Sequence, residues 1–168
     1  MRRRALQSGS SLLETAMFLP IMLLFLVGTI ELGKVVITYF ALQKTMYSIA
    51  RYVGTLQGAN FCDDADTAIT QAKNVVITGS SSGDGNALIS GLTASQVQVR
   101  IERVNADTGE LLQCECSIAG CDAGAGGLAP DFVVVSLPDG YQVGPVFPLF
   151  QVDPFLLRPR VRVPFGGT

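Results

Sequence analysis

Residues 9–34 read GSSLLETAMFLPIMLLFLVGTIELGK, and this stretch decides how the rest of the chain is organised. Its apolar part, Thr15 to Ile30, contains no charged residue and is about 16 residues long, slightly short of the roughly 20 residues of a usual membrane span. Glu14 precedes it directly, at a point where an unpaired charge costs about 2.5 kcal/mol or more in lipid. A carboxylate in this position therefore requires a partner.

The residues around this stretch predict a membrane orientation. Arg2, Arg3 and Arg4 precede the apolar run, and basic residues there keep the N-terminus in the cytoplasm, so the chain after Ile30 lies across the membrane.

The 168 residues leave room for one small domain beyond the terminal segment. The net charge of −2, without a basic stripe, gives no indication of nucleic-acid binding.

The helical pattern continues past the apolar stretch. Apolar residues recur at alternating spacings of four and three, which predicts one buried seam on a helix: Val35, Tyr39, Leu42, Met46, Ile49 and Val53. The pattern predicts a continuous helix from Leu12 to Val53, about 60 Å long at 1.5 Å per residue, ended by Gly54 and Gly58. Pro20 lacks the N–H for the helical hydrogen bond and is expected to kink this helix.

The remainder predicts a small head of mixed structure. A second helix is expected over Ala65–Ile77, capped by Asp63 or Asp64. Alternating apolar residues and turn signals predict four strands: Gln96–Val104, Glu110–Cys116, Phe132–Leu137 and an edge strand Leu156–Phe165. Prolines 145, 148 and 154 predict an extended, irregular segment between the last two strands.

These elements give an α+β fold in which a long N-terminal helix packs on a small antiparallel sheet with a second short helix. The chain divides into a basic leader over 1–9, a transmembrane half of the helix over 10–33, an amphipathic half over 34–55 and the globular head over 56–168.

Four cysteines lie in the head: Cys62, Cys114, Cys116 and Cys121. An even count in an exported domain predicts two disulfides. Cys114 and Cys116 point to the same face of a strand, so one of them should pair with Cys121 and the other with Cys62. Buried free thiols and a zinc site are the alternatives, although the Cys-x-Cys-x4-Cys spacing departs from the usual zinc ligand pairs.

Catalytic patterns are weak throughout. The chain has no histidine, the commonest general base and metal ligand, and we find no nucleophile with a partner in evident reach. Asp107-Thr108-Gly109 matches the triplet of aspartic proteases, but a single copy between two strands is typical of a hairpin turn. We therefore expect no enzyme activity, no cofactor and no metal. Arg158, Arg160 and Arg162 alternate along the last strand, where they either bind acids on a partner or form a solvated edge.

The N-terminal motifs resemble those of a known family. Gly9, followed by Ser10 and by Glu14 as the fifth residue after the glycine, has the layout of a type IV pilin processing site. Leu19-Pro20 and the Gly-x-x-Glu-x-Gly-Lys run from Gly28 to Lys34 resemble the N-terminus of TadE-like minor pseudopilins of tight-adherence pili. The resemblance implies a pilin-like fold.

It also implies an assembly pathway. A prepilin peptidase would cut after Gly9 and free the amine of Ser10, and Glu14 would pair with the N-terminal amine of a neighbouring subunit. A helix loosened at Pro20 would bend as the subunit leaves the bilayer. The implied partners are other pilin and pseudopilin subunits, the peptidase and the inner-membrane assembly platform.

The expected function is a structural one, in initiation, priming or the tip complex of the pilus. The expected location is the bacterial inner membrane, crossed once, with the head in the periplasm, and the extracellular pilus after assembly. Two alternatives remain: a secreted domain behind an ordinary signal peptide, and a membrane-anchored periplasmic binding or enzymatic domain that never assembles.

Overall fold

The computed structural model describes residues 4–56, 59–63, 65–114, 129–147 and 153–166, with side chains from residue 12 onward. The elements in chain order are α1 (Arg4–Val53), α2 (Thr67–Thr78), β1 (Gln98–Val104), β2 (Leu111–Gln113), β3 (Phe132–Ser136), β4 (Tyr141–Val143), β5 (Phe155–Leu157) and β6 (Arg160–Pro164). The predicted α+β fold, with a long N-terminal helix packed on a small antiparallel sheet, is confirmed.

The N-terminal helix is continuous to Val53, as predicted, but it begins at Arg4 and not at Leu12, so it includes part of the predicted leader. α1 contains 50 residues, which corresponds to about 75 Å at 1.5 Å per residue. Pro20 lies inside the helix, and the helix continues through it; a kink at this residue stays a prediction. α1 ends at Val53, and the backbone oxygen of Gly54 then accepts the N–H of Gly166, so the end of the chain's described part is joined to the end of the helix.

The main sheet has four antiparallel strands in the order β2-β1-β3-β6. In the register, Ile101 of β1 lies opposite Val133 of β3, which lies opposite Val163 of β6. Since side chains alternate between the faces of a strand, these valines and isoleucine share one face of the sheet. That face is the apolar one, and it is covered by α1.

The core forms where the second half of α1 meets this face. Four of the six residues of the predicted seam are fully buried: Leu42, Met46, Ile49 and Val53. Val35 is half-buried and Tyr39 is exposed, because the sheet covers only the later turns of α1. α2 packs beside α1 and adds Ile69, Ala72 and Ile77 to the same core. The head is therefore held on the C-terminal half of the long helix.

The predicted start of the second helix was wrong by two residues. The N-cap is Asp66, whose Oδ1 accepts the N–H groups of Ala68 at 2.9 Å and Ile69 at 3.0 Å. Asp63 instead accepts the N–H of Ala65 in the preceding turn, and Asp64 lies outside the described residues. An aspartate directly before the first helical residue reaches the free N–H groups of the first turn, which Asp63 is too distant to do.

The strand predicted over Leu156–Phe165 was also wrong, since it is two strands. β5 pairs with β4 in a second, two-stranded sheet, and β6 pairs with β3 at the edge of the main sheet. Pro159 separates them: it has no N–H to donate, and its carbonyl accepts the N–H of Leu137. The segment predicted to be irregular thus contains β4 and leads into β5.

The first two predicted strands are shorter than expected. Ala94–Gln96 forms a 3-10 turn, so β1 begins at Gln98. β2 covers Leu111–Gln113 only, and Cys116 lies outside the described residues. The predicted turn at Asp107-Thr108-Gly109 is present: Asn105 Oδ1 accepts the N–H of Asp107, and Gly109 has a φ of +69°, which favours glycine. The triplet therefore belongs to a β-hairpin turn.

Candidate functional site

The first half of α1 is an uncovered apolar surface. Leu12–Val53 is long and apolar enough to cross a membrane: its most apolar 18-residue window has a mean hydropathy of 2.0 and contains no buried residue. Phe25, for example, is 70% exposed. An apolar surface of this extent marks a contact with lipid or with another protein. One long N-terminal helix of this kind is consistent with a single membrane span.

The predicted processing and assembly residues lie at the start of this helix. Gly9 and Ser10 belong to the first turns of α1, and their side chains lie outside the described part. Glu14 is exposed and forms no hydrogen bond or ion pair with any residue that the structure describes. Cleavage at Gly9 and the subunit contact of Glu14 both stay predictions. The Glu14 side chain is placed where a neighbouring molecule can reach it.

The apolar surface continues beyond Ile30, on the side of α1 that the head leaves uncovered. Leu32, Val36, Phe40 and Tyr47 are all exposed and follow one another at helical spacings of four, four and seven. Residues so spaced share one face of a helix. We call these four residues the outer stripe. The head, by contrast, packs on the face that carries Leu42 and Met46.

A pair of charged residues joins α1 to the loop after β4. The Glu31 carboxylate accepts the N–H of Val146, at 2.7 Å from Oε1 and 2.9 Å from Oε2, and the N–H of Phe147 at 2.9 Å. Lys34 Nζ donates to the carbonyl of Gly144 at 2.8 Å. Residues three apart lie on the same side of a helix, so both side chains reach one loop. We call these contacts the clasp.

An apolar cavity of about 360 Å³ lies beside the clasp, between α1 and the second sheet. α1 contributes Leu24, Val27, Gly28, Glu31 and Val35, and the head contributes Gly144, Pro145, Phe147, Asp153 and Phe155. The head therefore extends along α1 as far back as Leu24, which belongs to the charge-free apolar stretch. This contact between α1 and the head is separate from the core around Leu42 to Val53.

The clasp gives part of the Gly-x-x-Glu-x-Gly-Lys signature a structural role. Glu31 and Lys34 hold the loop, but a Cβ added at Gly28 or at Gly33 would meet no atom within 4 Å. In this chain the two charged residues thus hold the loop, whereas no described contact excludes a side chain at the two glycines. The sequence shows a Glu-x-x-Lys pair directly after an apolar run, yet it does not reveal that their partner is a backbone segment 110 to 116 residues further on.

The described cysteines are close to one another. Cys114 is buried at the end of β2, Cys62 is half-buried, and both line one cleft beside β1. Neither is a free thiol in the part of the chain that the structure describes. Cys116 and Cys121 lie outside that part, so the predicted pairing of the four cysteines stays a prediction.

Two of the three arginines of the last strand have a partner within the chain. Arg160 Nη2 lies 2.6 Å from Oε1 of Glu102, and Arg162 Nη2 lies 2.6 Å from its Oε2. The Glu102 side chain is only 10% exposed. Arg160 and Arg162 are 60% and 41% exposed on the edge strand β6, which agrees with the predicted solvated edge, and they also neutralise a buried carboxylate of their own sheet. Binding of acids on a partner stays a prediction. Within the described ranges no group of three metal-ligating side chains is found.

Comparison with known proteins bears on the N-terminal segment. Neither the curated proteins nor the solved structures include a match to this chain. Residues 9–51, about a quarter of the chain, match the family model described as TadE-like protein. The matched range begins at the predicted processing site and contains both the apolar stretch and the two charged residues of the clasp. The N-terminal helix is therefore similar to that of TadE-like proteins, which is consistent with a component of the tight-adherence system.

Proposed function

We propose that the chain is a minor pilin-like structural subunit of a tight-adherence pilus that acts in pilus initiation, priming or the tip complex. The TadE-like match suggests involvement in this pilus system. The observation that carries the finer proposal is the extent of uncovered apolar surface on α1, which exceeds what a bilayer requires.

Lengths make this argument quantitative. Exposed apolar residues recur at short intervals from Leu12 to Phe40, and Tyr47 and Tyr52 are exposed further on. The range from Leu12 to Phe40 is about 29 residues, or ~43 Å of helix, whereas a hydrocarbon core of about 30 Å needs about 20 residues. The surplus lies in the outer stripe, on a face of α1 that the head leaves uncovered. Apolar surface that the membrane span does not need supports contacts with the helices of neighbouring subunits.

One of the two signature glycines supports the same role. Gly33 has open space around it in this chain, so its own packing gives no reason for a missing side chain, whereas Gly28 lines the cavity beside the head. Small residues on membrane helices permit the close approach of a second helix. A neighbouring subunit helix provides such a reason.

Glu14 supports a processed subunit. In the proposed pathway the peptidase cuts after Gly9, and the new amine of Ser10 is paired with Glu14 of a neighbour. A carboxylate among packed apolar helices is tolerated only when it is paired, and the described part of this chain offers Glu14 no partner. The proposal includes a periplasmic head stabilised by two disulfides, a single membrane pass and no enzymatic activity.

Substitution of Glu14 tests the proposal. In cells that make the pilus, Glu14→Ala should leave the amount of chain in the inner membrane unchanged and strongly reduce the amount in sheared pili, measured by immunoblot. Glu110→Ala, which removes an exposed carboxylate of the head, is the matched control and should assemble normally. Normal entry of the Glu14→Ala chain into pili would contradict the proposal and favour an anchored domain that is not assembled.

A further inference from the structure

We propose that the head carries a second membrane contact, formed by the loop Gly144–Phe147 and the segment Asp153–Leu156, which together we call the tip. The tip enters the headgroup region and the upper acyl chains of the leaflet next to the head. This inference rests on the proposed membrane anchorage of α1 and adds a lipid-binding surface to it.

The first argument is the position of the tip along α1. The cavity between them is lined by Leu24, Val27 and Gly28 on one side and by Pro145, Phe147 and Phe155 on the other. Leu24 lies six residues before Ile30, the last residue of the apolar stretch, which corresponds to about 9 Å along the helix. When the apolar stretch crosses the bilayer, the tip lies beside its final ~9 Å. This depth matches the roughly 5–10 Å to which interfacial apolar segments enter a membrane.

The second argument is the chemistry of the tip. Val146, Phe155 and Leu156 are 42%, 55% and 45% exposed. Phe155 also lines the cavity and so continues the apolar surface of α1, whereas Val146 and Leu156 are not part of the cavity lining. Asp153 is exposed and lines the same cavity. A carboxylate remains with the headgroups and water, so it limits how far the tip can enter.

The third argument is that the clasp provides the hydrogen-bond partners that the backbone of a loop needs in lipid. A loop placed at membrane depth is tolerated only when its backbone groups have partners within the protein. Glu31 accepts from the N–H groups of Val146 and Phe147, and Lys34 donates to the carbonyl of Gly144. The clasp therefore provides hydrogen-bond partners to backbone groups that would otherwise need water as a partner.

Tryptophan fluorescence in vesicles provides the test. The chain contains no tryptophan, so one introduced residue reports on its own position. The full chain, in the variants V146W and F155W, is reconstituted into phosphatidylcholine and phosphatidylglycerol vesicles that contain lipids brominated either close to the headgroup or close to the chain end. Bromine quenches tryptophan only at short range.

Two further variants are the controls. F25W lies in the apolar stretch at about the depth of the tip, on an exposed position of α1, and should be quenched whenever α1 spans the bilayer. L112W lies in β2 at the end of the sheet near the C-terminus of α1, on an exposed position, and should not be quenched.

We expect V146W and F155W to lose most of their emission with bromine near the headgroup and little with bromine at the chain end. Adding Glu31→Ala should reduce the quenching of V146W and leave that of F25W unchanged.

The possible failures are distinguishable. Quenching of F25W with V146W and F155W at the level of L112W overturns the membrane contact and leaves the anchorage intact. A second outcome is that V146W and F155W are not quenched and their emission shifts with the protein-to-lipid ratio. This outcome overturns the membrane contact and shows that a second copy of the chain covers the tip. Absence of quenching in F25W overturns both the anchorage and this inference.

Discussion

The carboxylate of Glu31 accepts the backbone N–H of Val146 at 2.7 Å, across 115 residues of sequence. Glu31 stands one residue after the apolar stretch, whereas the main core begins at Leu42, about 17 Å further along α1. The head is thus attached to the helix at two separate levels. Two attachments fix the orientation of the head relative to the helix axis, which one attachment would leave free to pivot.

Removal of the Glu31 carboxylate should expose the loop that it holds. In Glu31→Ala, the amides of Val146 and Phe147 should exchange with deuterium faster than in the unmodified chain, because their acceptor is lost. Glu31→Gln should be intermediate, since an amide oxygen still accepts a hydrogen bond but without a charge. Hydrogen–deuterium exchange with mass spectrometry in detergent measures this. Unchanged exchange of 144–147 in Glu31→Ala would show that the clasp does not hold the loop.

Two isoleucines of α1 provide a matched test of the packing. Ile49 is fully buried, and Ile49→Ala should lower the free energy of unfolding of the head by about 2–5 kcal/mol, through lost burial and a cavity. Ile37 is 71% exposed, and Ile37→Ala should change it by less than about 0.5 kcal/mol. Denaturant titrations in detergent measure both. Equal effects of the two substitutions would contradict the described core.

The carboxylate of Glu102 should couple Arg160 and Arg162. Both arginine side chains are more than a third exposed, at 60% and 41%, so solvent screens them, and each single Arg→Ala substitution should cost below about 1 kcal/mol while the other arginine remains. The double substitution leaves a buried carboxylate uncompensated and should cost more than the sum of the singles. A double-mutant cycle in denaturant measures the coupling. If the costs of the two single substitutions add up to the cost of the double substitution, Glu102 does not couple the two arginines.

The cysteine prediction is open to peptide mapping. Trypsin should release residues 52–73, which contain Cys62, covalently joined to residues 104–160, which contain the other three cysteines. Reduction should separate the two peptides and lower the stability of the head by about 2–5 kcal/mol. Separate peptides from the unreduced protein, isolated from the periplasmic side, would exclude a disulfide from Cys62.

The parts of the fold that were predictable from sequence are those with regular periods. The seam from Leu42 to Val53 and the alternating residues of β1 and β3 reflect burial on one face, which a periodic pattern reports directly. The turn at Gly109, whose φ is +69°, follows from the backbone freedom of glycine.

The parts that were missed depend on tertiary contacts. β4 and β5 have three residues each, too few to show a period, and prolines 145 and 154 argued against regular structure there. The partners of Glu31 are backbone N–H groups, which every non-proline residue carries, so no side-chain pattern identifies them. Similarly, the alternation of Arg160 and Arg162 indicated a shared face, but not the carboxylate of Glu102 on β1, which β3 separates from β6.

The central claim is that α1 serves as the assembly helix of a processed pilin-like subunit, and the N-terminal sequence of the mature protein tests it most directly. The chain is purified from the membranes of cells that make the pilus, and its first residues are determined by chemical sequencing or by the mass of the terminal peptide. A mature chain that starts at Ser10 is the predicted result. A start at Met1, which means a simple anchor, or a start beyond Ile30, which means a signal peptide, would contradict the account.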